Sequence, residues 1–281
     1  MNSQTLRVAP NPVWIIANKE LKDSLRNRWV SVITFIFMLL SFSVTFAGSA
    51  ISAELALPNL PSLITSLSTM TVFIIPLAAI LLSYDAYIGE EEAGTMLLLL
   101  SYPLTKQQIF IGKLVAHSGI MLAAISLAFG CSAVAMLLWS EASSAAVISA
   151  FFQFIVSSSL LAVTFILISY LVSLHVSEKA KAVGTLLSLW FLLVLVYDLL
   201  LLALLVADLG SSSQALVNVL MALNPTDIYR AINLLAVDSP MGSLSLLADT
   251  AWGIELLYGL SIAWVACLAM LASQSFARKS I

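Results

Sequence analysis

Residues 85–113 read DAYIGEEEAGTMLLLLSYPLTKQQIFIGK. Apolar runs lie on both sides, at about 62–84 and 114–139, each meeting the roughly 20-residue requirement of a membrane helix. Between them three consecutive carboxylates, Glu90, Glu91 and Glu92, precede a Gly94-Thr95 step, the run Met96-Leu97-Leu98-Leu99-Leu100 and a Tyr102-Pro103 break. A bare connector between two spans needs only a few residues, so segment 88–104 carries something more. Gly94-Thr95 predicts a helix start, with the glutamates ahead of it complementing the helix dipole. Pro103 ends that helix, because the residue before a proline is pushed out of helical geometry. Thr105-x-x-Gln108 predicts a capping box that opens the next span. A short leucine-bearing helix kept out of lipid by three carboxylates suits a groove on another protein, the alternative being that Leu97 to Leu100 dip back into the membrane interface.

The rest of the chain explains why lipid is the reference. Of 281 residues 61% are hydrophobic and 10% charged, against roughly 25% charged in a soluble domain, and mean hydropathy is +1.04. Net charge is −3, which gives no basic surface for nucleic acid. Cys131 and Cys267 lie in apolar runs with no framework spacing. Six stretches qualify as spans, at about 30–52, 62–84, 114–139, 146–173, 182–207 and 251–273. None alternates like a barrel strand, so an all-α membrane protein with six transmembrane helices is expected. The first 29 residues lack the apolar core of a cleavable signal, and the first span is expected to act as an uncleaved anchor.

With both termini in the cytosol, the inner segments hold Arg7, Lys19, Lys22, Arg26, Arg28, Lys106, Lys113, Lys179, Lys181, Arg278 and Lys279, and the outer segments hold only Arg230. That is a clear positive-inside bias. The longest outer segment, 208–250, predicts two short helices lying on the outer surface: one from Ser211-Ser212-Ser213 to Leu223, and one capped by Thr226 after the Asn224-Pro225 break. They form either a docking platform for an external partner or a helical lid over the bundle. Asp238-Ser239-Pro240-Met241-Gly242 then reads as a turn. Before the first span, residues 14–29 set Trp14, Ala17, Leu21, Leu25 and Trp29 on one helical stripe opposite Lys19, Asp23, Arg26 and Asn27. This is the pattern of an amphipathic helix in the inner interface.

Gly94-Thr95 with the leucine run, Tyr102-Pro103-Leu104 and the Gly112-Lys113 pair resemble the signature of ABC-2 class permeases of ATP-binding cassette transporters. Lys19-Glu20-Leu21 followed by Arg26-x-Arg28-Trp29 is similar to the elbow helix of that class. More narrowly, Tyr84-Asp85, Gly89-Glu90, the Met96–Leu100 run and Asn224-Pro225-Thr226-Asp227 before Tyr229-Arg230 resemble permeases of the transporters that mature nitrous oxide reductase. The resemblance spans nearly the whole chain and is strongest over 14–29 and 83–113. It implies a single transmembrane domain over 1–281 in the inner (cytoplasmic) membrane of a bacterium, with an elbow helix at 14–29 carrying Trp14, Leu21, Leu25 and Trp29. It also implies a cytosolic coupling segment at 88–104 whose contacts are Glu90, Glu91, Glu92, Gly94, Thr95 and Met96 to Leu100. The implied partners are a second copy of the chain, two copies of a cytosolic ATPase that binds ATP and Mg, a periplasmic accessory protein met through Asn224, Pro225, Asp227 and Arg230, and membrane lipids. The implied cargo is a sulfur species for the copper–sulfur cluster of the reductase.

Catalytic chemistry is hard to find in the residues themselves. No G-x-x-x-x-G-K-[ST] occurs, so ATP hydrolysis is expected on a separate subunit. His117 and His175 are isolated. Asp198 lies about 16 residues into the fifth span, roughly 24 Å deep at 1.5 Å per residue. An intramembrane carboxylate is a functional candidate, or else helix–helix glue, protonated or bonded to a Ser or Tyr. Two other classes remain as alternatives. Tyr84-Asp85 and Tyr197-Asp198 suggest the two carboxylates of an intramembrane aspartyl protease, although their depths differ and no Gly-x-Gly-Asp occurs. A secondary transporter would want broken helices near the midplane, and only Pro76 interrupts a span.

Overall fold

The computed structural model of the chain describes residues 11–26, 28–52, 57–206, 211–236 and 252–279, and among them every regular element is helical. The order is α1 Pro12–Arg26, α2 Trp29–Ser52, α3 Leu60–Ser83, α4 Ile88–Glu92, α5 Thr95–Ser101, α6 Lys106–Trp139, α7 Ser144–His175, α8 Lys179–Phe191, a π-helical turn Leu192–Val196, α9 Tyr197–Val206, α10 Ser211–Ala222, α11 Pro225–Leu235 and α12 Ile254–Arg278. Five continuous stretches are long and apolar enough to cross a membrane: Leu60–Glu92, Lys106–Trp139, Ser144–His175, Lys179–Leu204 and Ile254–Arg278. A sixth is reached when α1 and α2 are counted together. Its apolar part is α2, because α1 carries Lys19, Glu20, Lys22, Asp23 and Arg26. The turn expected at 238–242 lies outside the described residues.

Local chemistry sets the helix starts. Asn59 accepts a hydrogen bond from the Ser62 amide ahead of α3. Thr105 and Gln108 form the reciprocal capping box of α6, with bonds of 3.2 and 2.9 Å. The Ser143 hydroxyl accepts from the Ala146 amide at 3.3 Å to cap α7. Each cap satisfies an amide that has no intrahelical acceptor. Helix α7 is central and packs along α3, α6 and α12, while α6 also packs on α1 and α2. Phe129 meets Phe154 edge to face at 4.9 Å in the core. The hydroxyls of Ser41, Thr45 and Ser132 bond one another between α2 and α6, the polar glue used between helices where lipid supplies no hydrophobic drive.

Helix α1 has three faces. Ile16, Ala17 and the mostly buried Glu20 turn toward the bundle, Trp14, Leu21 and Leu25 form an exposed apolar flank, and Lys19, Lys22, Asp23 and Arg26 lie on the exposed polar remainder. Ala17, placed on the apolar stripe by its spacing, belongs to the buried face. Trp29 begins α2, and its side chain falls outside the described residues. The crossing of α1 over α6 is made at Gly112, where a Cβ would lie 2.7 Å from the Ile16 Cβ and 3.0 Å from the Val13 carbonyl oxygen.

Of the two helices expected to lie flat on the outer surface, α11 does not. Helix α11 packs against α3, α7 and α12 with nearly all its residues buried. The Trp264 indole donates to the Ala222 carbonyl at 3.0 Å, ten residues, or about 15 Å, into α12. The turn between α10 and α11 is therefore inserted into the bundle. Its hydrophilic residues look like surface residues in sequence, but their partners sit on other helices.

Gly112→Leu should separate α1 from α6 and lower stability by about 1–3 kcal/mol, seen as a lower thermal midpoint in detergent. Gly119→Ala on the same helix should be neutral, because a Cβ there meets nothing within 4 Å.

Candidate functional site

Segment 88–104 folds as two short helices rather than one. Gly94 adopts φ +69°, a left-handed conformation that favours glycine, and separates α4, which holds the three glutamates, from α5, which holds the leucines. Consecutive residues on a helix point about 100° apart, so Glu90, Glu91 and Glu92 reach in three directions. Glu90 accepts from the Lys113 ammonium of α6 at 2.9 Å and from Lys19 of α1 at 3.4 Å. Glu91 pairs with Lys279 after α12. Glu92 accepts from the Lys179 amide at 2.8 Å, capping α8, whose own N-cap residue Glu178 makes no capping bond and pairs with Lys181 instead. The start of α4 is capped from α7, where the Ser173 hydroxyl accepts from the amides of Tyr87 and Ile88 at 3.2 and 3.0 Å. Residue order alone predicts carboxylates that shield the leucines for an outside groove. They are instead engaged inside the molecule, because four separate elements present cations or free amides around α4.

Lys113 is the centre of this arrangement. Its side chain is 1% exposed and donates to Glu20 at 2.7 Å as well as to Glu90. Two lysines, Lys19 and Lys113, face Glu20 and Glu90, and Asp23 lies 3.7 Å from Lys19. Burial alone would raise the Glu20 carboxyl, but the neighbouring Lys113 ammonium, aided by Lys19, holds it below the usual glutamate range. Beneath the cluster, Tyr87 stacks edge to face on Tyr170 at 5.2 Å and meets Phe276 at 4.9 Å. The Tyr170 hydroxyl is bonded to His117 Nδ1 at 2.7 Å, so this lone histidine is a buried packing partner. Helix α5 is anchored by the buried Met96 and the half-buried Leu99 and Leu100. Leu97 and Leu98 are left 63% and 61% exposed, beside an exposed Tyr102. Thr95 donates to the Glu90 carbonyl.

A second polar group lies around α11. Asn224 donates to the Leu193 carbonyl and to Asp227, both at 2.8 Å, and Thr226 donates to the same Leu193 carbonyl at 3.2 Å. Leu193 belongs to the π-helical turn, so the break in the fifth span is satisfied by the inserted helix. Arg230 pairs with Asp198 and, at 3.4 Å, with Asp227. Tyr229 bonds Thr71 and Ser158 at 2.7 and 3.3 Å. Asn224, Pro225 and Asp227 are thus buried inside the protein and unavailable to an external partner, with Arg230 half-buried beside them. The partner of Asp198 is this arginine rather than a serine or tyrosine. Asp85 lines a polar cavity of about 360 Å³ beside Lys113 and His117, away from the Asp198 cluster, so the two Tyr-Asp steps do not form a dyad. The role of Arg230 was hidden in sequence because the pairing spans 32 positions.

Residues 14–281 match the family model described as ABC-2 family transporter protein. The probable ABC transporter permease protein NosY of Stutzerimonas stutzeri is 44% identical over 273 residues, covering 96% of this chain and 99% of that protein. The probable ABC transporter permease protein NosY of Pseudomonas aeruginosa is 41% identical over 272 residues, again covering 96% of this chain and 99% of that protein.

Lys113→Met should leave the mostly buried Glu20 and Glu90 with only the half-exposed Lys19 as a counter-charge and cost about 3 kcal/mol of stability. Adding Glu20→Gln and Glu90→Gln should recover most of that loss in thermal unfolding. A depressed carboxyl contributes stability above its ordinary pKa of about 4.3 and loses it as pH falls through the lowered folded value. The thermal midpoint should therefore fall below about pH 4, and more gently in Glu20→Gln.

Proposed function

This chain belongs to the ABC-2 transporter family and is a membrane permease subunit of an ABC transporter, and we propose that it converts the closure of a separate cytosolic ATPase into movement of its spans through α4 and α5. The observation that carries this reading is the contrast within segment 88–104. Helix α4 is tied to α1, α6, α7, α8 and the C-terminal residues, whereas α5 next to it leaves Leu97, Leu98 and Tyr102 uncovered. An apolar patch on a rigidly held helix suits a groove on a partner, and a push on it is passed to several spans at once. ATP and Mg are bound by that partner.

The working unit is a pair of permeases on two ATPases in a bacterial inner membrane, with both termini cytosolic in keeping with the positive-inside bias. Helix α1 serves as the elbow, its Trp14–Leu21–Leu25 flank turned to the interface. The cargo is a sulfur species destined for the copper–sulfur cluster of nitrous oxide reductase. This rests on the sequence resemblance and on relatives bearing the name NosY. A periplasmic accessory protein completes the system and meets residues other than Asn224, Pro225 and Asp227.

Leu97→Asp with Leu98→Asp should abolish co-purification with the ATPase while changing stability by no more than about 0.5 kcal/mol, as exposed substitutions do. Retained co-purification would refute α5 as the contact. Charge reversal of Glu90 tests the same idea poorly, since it also breaks the Lys113 cluster.

A further inference from the structure

Helices α1, α2 and α6 enclose an apolar groove of about 450 Å³ lined by Leu21, Leu25, Phe35, Met38, Gly119 and Leu127 among others. Its α2 wall runs from Val30 to Met38, about 12 Å at 1.5 Å per residue, within the apolar part of the helix. The α6 wall is shallow because Gly119 and Ala123 are small and exposed. At the α1 end the chain carries Lys22, Arg26 and Arg28, all exposed. None of the three has a carboxylate partner among the described residues, whereas Lys19, Lys113, Lys181, Arg230 and Lys279 each have one. The nearby Asp23 faces Lys19 at 3.7 Å. Lys106 and Arg278 also lack a carboxylate partner among the described residues, but Lys22, Arg26 and Arg28 neighbour in sequence the groove residues Leu21, Leu25 and Val30.

The geometry points to a binding site for one glycerophospholipid with a net-negative headgroup, an acyl chain lying in the α2–α6 groove and the phosphate facing Lys22, Arg26 and Arg28. Charge complementarity selects this occupant: basic residues at the edge of a span attract anionic lipid, and long basic side chains reach the headgroup layer. A second copy docked isologously through the same face would bring two uncompensated cation sets together.

The test is native mass spectrometry of the intact transporter released from nanodiscs containing equal phosphatidylglycerol and phosphatidylcholine. The expected result is one retained phosphatidylglycerol per permease copy, preferred roughly tenfold. Gly119→Phe, where a side chain has open space, should lose the lipid. Lys22→Gln with Arg26→Gln and Arg28→Gln should keep a lipid but lose the headgroup preference, at an unchanged thermal midpoint. These surface changes keep the test valid if the Phe variant does not fold. Equal retention of both lipids by the unaltered protein would overturn the site. So would an unchanged preference in the triple variant, or efficient disulfide linkage of two copies through Phe35→Cys.

Discussion

The Lys113 ammonium, buried where α1, α4 and α6 meet, is the interaction on which the rest depends. Burying an ammonium is costly unless carboxylates meet it at hydrogen-bond distance, and Glu20 and Glu90 do so from two different helices. The requirement fixes geometry as well as charge. It holds α1 at the bundle through Glu20, while Gly112 one position earlier lets the two helices approach. It also sets the rotation of α4, and that rotation aims Glu91 at Lys279 and Glu92 at the start of α8.

A second constraint operates at the other polar cluster and has a different character. The π-helical turn at Leu192–Val196 disturbs the backbone of an apolar span, and lipid offers no donors to a displaced carbonyl. Asn224 and Thr226 supply them from the inserted helix. Leu193 lies fourteen residues after Lys179, about 21 Å along the span. Helix α8 therefore joins the two clusters physically, with its first amide held by Glu92 and its far end gripped by α11. In the coupling proposed above, this two-point attachment of one helix is the route from α4 to the inserted turn.

Much of this was legible in residue order. Apolar length located the spans, Thr105 and Gln108 announced the start of α6, and the Asn224-Pro225 step marked the boundary between α10 and α11. The leucines of α5 and the carboxylates of α4 stood out as a segment with a purpose, although their division of labour did not. Helix α1 shows the limit well: its apolar spacing gave a stripe through Ala17, whereas contact with α6 selected Ile16, Ala17 and Glu20 as the inward face.

Periodicity and composition on their own determined that the chain is helical, membrane-spanning and interrupted after its second span, because helix length, hydropathy and caps act over a few neighbouring residues. Tertiary structure alone decided that the glutamates are bonded within the chain, that α11 is buried and that Asp198 meets Arg230. Each of these outcomes depends on a counter-charge or a hydrogen-bond acceptor supplied by a different helix. The free energy of a buried polar group is set by that distant partner, not by its sequence neighbours.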